Sequence, residues 1–151
     1  MVALMDSIKI KENPEKIFNA LIKIFSTEKY YKMWHKGHTI CKWLKGKQFE
    51  KGSILYAEEY LHGKLHKMKF IGTNLVRNKK VEFKLLFPTS LFCPKGSFII
   101  EQGKEHSIFT ANLYFRFSRF FNKYAKDRVD AVKRHMKEEG ENLKKIVENK
   151  L

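Results

Sequence analysis

Between Thr39 and Arg116 apolar side chains recur at every second position; on either side of that stretch they recur every three or four. A half-buried strand repeats with a period of two and a helix with a period of 3.6. The change of period therefore restricts the chain to an antiparallel sheet with one buried face, flanked by helices. Leu55, Ala57, Glu59 and Leu61 share one strand face, and beyond a turn at Gly63-Lys64 so do His66, Met68 and Phe70, opposite Lys67 and Lys69. Val81, Phe83, Leu85 and Phe87 alternate with Glu82 and Lys84. Gly103-Lys104 marks a hairpin between a strand near 97–101 and a longer one whose Phe109, Ala111, Leu113, Phe115 and Phe117 point inward.

Ahead of the sheet, a short strand over 7–11 sets Ile8 and Ile10 against lysines. Asn13 offers a helix cap, Pro14 suits the first helical position, and Glu15 sits at the positive end of the helix dipole. Ile17, Leu21, Ile24 and Phe25 follow at helical spacing, and a second short helix is predicted over 27–34, closed by Gly37. The C-terminal segment returns to the helical period, with Val132, Met136, Leu143, Ile146 and Val147 in one stripe. Gly140 interrupts that stripe at a cost of ~1 kcal/mol relative to Ala. The order is a strand, two short helices, about six to seven antiparallel strands and one long helix. The buried face of a curved sheet must be covered, and only the last helix is long enough to do it. With no linker, repeat or low-complexity segment, one α+β domain is expected over 1–151.

Of the 31 basic residues 26 are Lys and 5 are Arg, against 16 acidic residues, for a formal charge of +15. The lysines are scattered, with Lys79-Lys80 and Lys144-Lys145 the adjacent pairs, which describes a solvated surface and no specific nucleic-acid partner. A hydrophobic content of 43% with 13 Phe excludes a disordered chain. No apolar run approaches the ~20 residues of a membrane helix, and no secretory leader is evident, so a soluble cytoplasmic protein without membrane insertion is expected. Cys41 and Cys93 form neither a disulfide framework nor a metal knuckle.

Three features set polar groups where the period expects apolar ones. Tyr30-Tyr31-Lys32-Met33-Trp34-His35-Lys36-Gly37-His38 carries two histidines three apart at a helix end, and neutral imidazole is a common metal ligand. Glu59 lies in phase with Leu55, Ala57 and Leu61; an inward carboxylate needs a cation, a lysine or a metal. The other register would turn Glu58 inward beside Ile54, Tyr56 and Tyr60. His135 and Glu139, four apart, stand one above the other along the apolar stripe, as in metal sites built between helices; an exposed ion pair has the same spacing. His62 and His106 fall in turns and read as surface residues.

The element order, the Asn13-Pro14-Glu15-Lys16-Ile17-Phe18 segment and the amphipathic tail resemble the START/birch-pollen-allergen superfamily, whose helix-grip fold encloses an apolar cavity between sheet and helix. Tyr31-Lys32-Met33-Trp34-His35, the following His38, Glu59-Tyr60, and His135 with Glu139 further resemble its zinc-dependent diacetylphloroglucinol and phloretin hydrolases. Lys36 stands where those enzymes have Pro, and no histidine occupies Ser97 or Phe98, where they carry another; His66 or Glu101 are the substitutes at hand. The resemblance implies a zinc ion on His38, Glu59, His135 and Glu139, with His35 and His66 in reserve. It implies Tyr31 (or Tyr30) as proton donor or acceptor, and hydrolytic cleavage of a carbon–carbon bond in an aromatic or polyketide-like ketone. The same fold also serves non-catalytic carriers and cyclase-like proteins for small hydrophobic or aromatic molecules, so the fold alone does not select the activity.

Overall fold

The computed structural model describes residues 2–116 and 123–149. Strand β1 (Val2–Ile10) leads into helices α1 (Pro14–Ile24) and α2 (Glu28–Trp34). Six strands follow, β2 (His38–Lys45), β3 (Ile54–Leu61), β4 (Lys64–Val76), β5 (Lys80–Leu85), β6 (Lys95–Gln102) and β7 (Ser107–Phe115), and then helix α3 (Lys123–Glu148). The seven strands form one antiparallel sheet in the order β1-β7-β6-β5-β4-β3-β2, with α3 against its buried face: the helix-grip fold. Among the described residues no helix is long and apolar enough to cross a membrane.

The local signals act as the residues dictate. The Asn13 side chain accepts the Lys16 N–H at 2.9 Å, and Thr27 caps α2 in the same way through the Tyr30 N–H. Ile17, Leu21, Leu55 and Leu143 are wholly buried, each stabilising the fold by ~1.5–3 kcal/mol. Gly140 has a packing role beyond its helical cost. A Cβ there would lie 3.2 Å from Asp6 Oδ2 and 3.6 Å from a methyl of Ile8, so the missing side chain lets α3 settle on β1. Cys41 and Cys93 are both free and buried.

Three details differ from what the sequence pattern predicts. The opening strand begins at Val2, well before 7–11, because it pairs with β7 along its whole length, from Val2↔Phe115 to Ile10↔Ser107. Exposed Met5 and inward-phased Asp6 hide that alternation in the sequence. The β3–β4 turn is centred one residue earlier, on His62-Gly63, both with positive φ (53° and 72°), the geometry of a two-residue primed turn. Phe87, expected inward, is 76% exposed: β5 ends at Leu85, and Pro88 has no N–H to extend a ladder. Phe117, expected on the last strand, lies outside the described residues.

Candidate metal centre and cavity

The early histidines are placed by the turn that joins α2 to β2. A Cβ on Gly37 would come within 2.8 Å of the Tyr60 carbonyl oxygen, and the Gly37 carbonyl accepts the Tyr60 N–H at 2.7 Å. This close approach makes His38 the first residue of β2, directly across from Glu59 on β3. Glu59 faces inward, as the alternation rule favours; Glu58 occupies the other face, between Ile40 and Lys67 in the register. From the opposite side α3 supplies His135 and Glu139, one turn apart. The Trp34 indole N–H donates to the Glu139 carbonyl at 2.9 Å, and the Asn142 amide donates to the Trp34 carbonyl at 2.8 Å, fastening α2 to α3 beside the site.

Four donor atoms converge. His38 Nε2 lies 3.0 Å from Glu139 Oε2, 3.2 Å from His135 Nε2 and 3.4 Å from Glu59 Oε2. His135 Nε2 lies 3.4 Å from Glu139 Oε2 and 3.7 Å from Glu59 Oε2. A tetrahedron with metal–ligand arms of about 2.0–2.1 Å has edges of about 3.3–3.4 Å, so these separations bracket the size of one divalent ion. Two imidazole nitrogens with two carboxylate oxygens form a donor set suited to zinc.

The surrounding hydrogen bonds assign the protons. His38 Nδ1–H donates to the Tyr31 carbonyl at 3.0 Å, which turns Nε2 towards the cluster. The Tyr31 ring stacks on the His38 imidazole at 4.0 Å and 8°, and its hydroxyl donates to Glu59 Oε2 at 3.0 Å. Burial, and then the Glu59 charge, push the Tyr31 phenol well above its ordinary range, so it stays protonated. Burial also disfavours an imidazolium at His135, but the Glu139 and Glu59 carboxylates outweigh it and raise the group to about 9. The same contacts, with His135 foremost, hold the Glu139 carboxyl below its usual range despite burial.

His35 takes a different position. Its Nδ1 accepts the Gly37 N–H at 2.9 Å, and Nε2 faces Glu138 Oε2 at 3.3 Å while the ring packs 4.0 Å from that of His135. Burial, and then the neighbouring His135 and His38, lower its pKa from the ordinary imidazole value. His35, His38 and His135 do form a second trio of close nitrogens, but both nitrogens of His35 have partners elsewhere. His66 sits across from Glu59 on the inner face and lines the cavity, yet it belongs to neither set. Glu101 is exposed at the end of β6. Ser97, where a further histidine had a precedent, is buried and accepts from the Asn112 amide at 3.2 Å. Sequence patterning marks neither Glu138, Asn142 and Asn112 nor the Trp34–Glu139 hydrogen bond, because the partners are distant in the chain.

Tyr31, Glu59, His135 and Glu139 form part of the wall of a cavity of about 350 Å³. Phe25, Phe49, Phe83 and Phe98 pack edge-to-face or tilted against one another and supply much of the rest of the wall.

No protein-family model matches the sequence, and no curated protein is recognisably similar to it. Solved structures share the fold. The crystal structure of Ara h 8.0201 superposes with a TM-score of 0.74 at 12% identity over 99% of both chains. The Zhui aromatase/cyclase from Streptomyces sp. R1128 gives 0.75 at 8% identity, covering 98% of this chain and 94% of its own. Norcoclaurine synthase from Thalictrum flavum, in complex with dopamine and hydroxybenzaldehyde, gives 0.75 at 10% identity, covering 99% and 88%. At these identities the likeness defines the architecture, that of the birch-pollen-allergen fold, and leaves the chemistry to the site.

Proposed function

We propose that this protein is a divalent-metal-dependent hydrolase, with zinc as the metal, that cleaves a carbon–carbon bond in an aromatic or polyketide-like ketone. The observation that carries the reading is the convergence of His38, Glu59, His135 and Glu139, all within 4.8 Å of one another, with Glu59, His135 and Glu139 on the wall of an aromatic cavity and His38 buried behind them. A zinc ion there would polarise a substrate carbonyl and lower the pKa of a water towards ~7. The phenylalanines would hold a flat ring, Trp34 and Asn142 tie α2 to the ligating helix, and His35 braces the turn through the Gly37 N–H and Glu138. Tyr31 holds its proton at Oη beside Glu59, on the cavity wall, where it would orient a substrate phenol or serve as proton donor or acceptor to it. The net reaction adds water across the aryl–acyl bond: the ring gains hydrogen and the acyl group leaves as a carboxylic acid. Solved structures of this fold include an aromatase/cyclase and a synthase holding two aromatic compounds, which fits a cavity for small aromatic ligands.

A second reading, a non-catalytic carrier of a small hydrophobic ligand, draws on one observation. Four protein donors fill a tetrahedron, as in closed structural sites, whereas catalytic zinc keeps a position open. The two are separated by incubating zinc-loaded protein with acylated phloroglucinols and following the deacylated ring by chromatography. Turnover that disappears in His135→Ala and with chelator supports the hydrolase. Saturable binding of the same compounds by the zinc-loaded protein without turnover supports the carrier.

A further inference from the structure

The mouth of the cavity has a chemistry unlike its floor. Lys64, Arg116 and Arg128 all line it and are all exposed, with His62 and His66 beside them. Among the described residues none of the three cations forms an ion pair, and the two carboxylates on the lining, Glu59 and Glu139, are engaged by His38 and His135. The placement is directional. Lys64 is in phase with His66, Met68 and Phe70 on the inner face of β4, where a lysine serving only solubility would fall on the outer face with Lys67 and Lys69. Arg128 lies seven residues before His135, two helical turns along the same face of α3.

We infer that the cavity selects ligands bearing an anionic group, a carboxylate, sulfonate or phosphate, which Lys64, Arg116 and Arg128 hold at the mouth while the apolar body fills the aromatic interior. The backbone sets the length. Lys64 pairs with Leu61, two residues along β3 from Glu59, a rise of about 7 Å, and Arg128 stands about 10 Å along α3 from His135. A ligand spanning both ends therefore separates its anion from the group at the histidines by roughly the length of one substituted aromatic ring. This specifies the substrate class of the proposed hydrolase, yet it rests only on the cavity being a ligand site and holds without the metal. The competing use of the same cations is docking on an anionic membrane, with exposed Phe87 and Leu91 nearby in sequence to Phe92 at the mouth. The inward phase of Lys64 and Arg128 favours the ligand.

The test uses two fluorescent probes that differ in one group, anilinonaphthalene sulfonate and the uncharged N-phenylnaphthylamine, titrated into the full chain with and without chelator. The wild type is expected to bind the sulfonate about tenfold more tightly than the neutral probe at low salt, the sum of three modest exposed pairs. In Lys64→Gln/Arg116→Gln/Arg128→Gln the preference should fall to near parity with the neutral probe's affinity unchanged; Arg128→Gln alone should remove part of it. Near-ultraviolet circular dichroism verifies the fold of each variant. Equal affinities in the wild type, or a preference that survives the triple substitution, overturn the inference. So does loss of sedimentation with phosphatidylserine vesicles in the triple variant while the probe preference stays intact. Because the preference is read in chelator, its failure is distinct from failure of the hydrolase, which is read by turnover.

Discussion

The two ends of the cavity handle charge in opposite ways. At the inner end, two histidines and two glutamates are largely buried and satisfy one another; at the mouth, three exposed cations form no ion pair among the described residues. A buried group has lost its hydration, so removing one partner strands the rest, whereas an exposed charge can be deleted at little structural cost. The inner end thus stores stability and chemistry together. The mouth stores only selectivity.

Substitutions should separate the two ends by size of effect. Glu139→Ala leaves His38 and His135 short of their closest carboxylate, and the metal-free protein is expected to lose about 3 kcal/mol in chemical denaturation, together with its zinc affinity. An unchanged midpoint would mean that the inner end is less buried than described. Gly37→Ala acts more locally, because its Cβ would press on the Tyr60 carbonyl and on His35, displacing His38. Zinc affinity by competition with a chelator should fall at least tenfold, with a stability loss of about 1–3 kcal/mol. Tyr31→Phe removes the donor to Glu59 while keeping the ring on His38, and should weaken zinc about 10- to 100-fold with the fold intact. At the mouth, Arg128→Gln should shift stability by no more than about 0.5 kcal/mol.

Acid and base sharpen the contrast. In the metal-free protein, His135 is raised to about 9, so its contribution to stability is full below its unfolded value of ~6.5 and is lost as pH climbs through 9. Glu139 is depressed, so its contribution is present above ~4.5 and is lost as pH falls below that. Thermal melts in chelator should therefore be highest near pH 5–6 and decline towards pH 9. Zinc must displace the His135 proton, so its stabilising effect should widen over the interval in which the metal-free protein weakens. A zinc effect independent of pH would argue that the ion binds elsewhere.

Much of this was legible in the sequence, for a physical reason. Alternation fixes which side of a strand faces inward irrespective of where the turn falls, so it places Glu59, Leu61, His66 and Met68 on the inner face although the turn lies one residue earlier than the sequence predicts. The four-residue spacing of His135 and Glu139 fixes their common direction, and the stripe beside them tells that it is inward. Illegible were contacts that depend on tertiary approach. The spacing alone does not separate His35 from His38, and only the resemblance ranks His38 first; the Gly37 turn commits His35 to Glu138 and His38 to the cluster. The cations at the mouth, drawn from three separate elements, were lost among 31 basic residues.

One measurement bears most directly on the centre itself: a crystal of zinc-loaded protein recorded on both sides of the zinc absorption edge. The account predicts a single anomalous peak about 2.0–2.2 Å from His38 Nε2, His135 Nε2, Glu59 Oε2 and Glu139 Oε2. An absent peak, or one seated away from α3 with His135 and Glu139 paired only to each other, would contradict it.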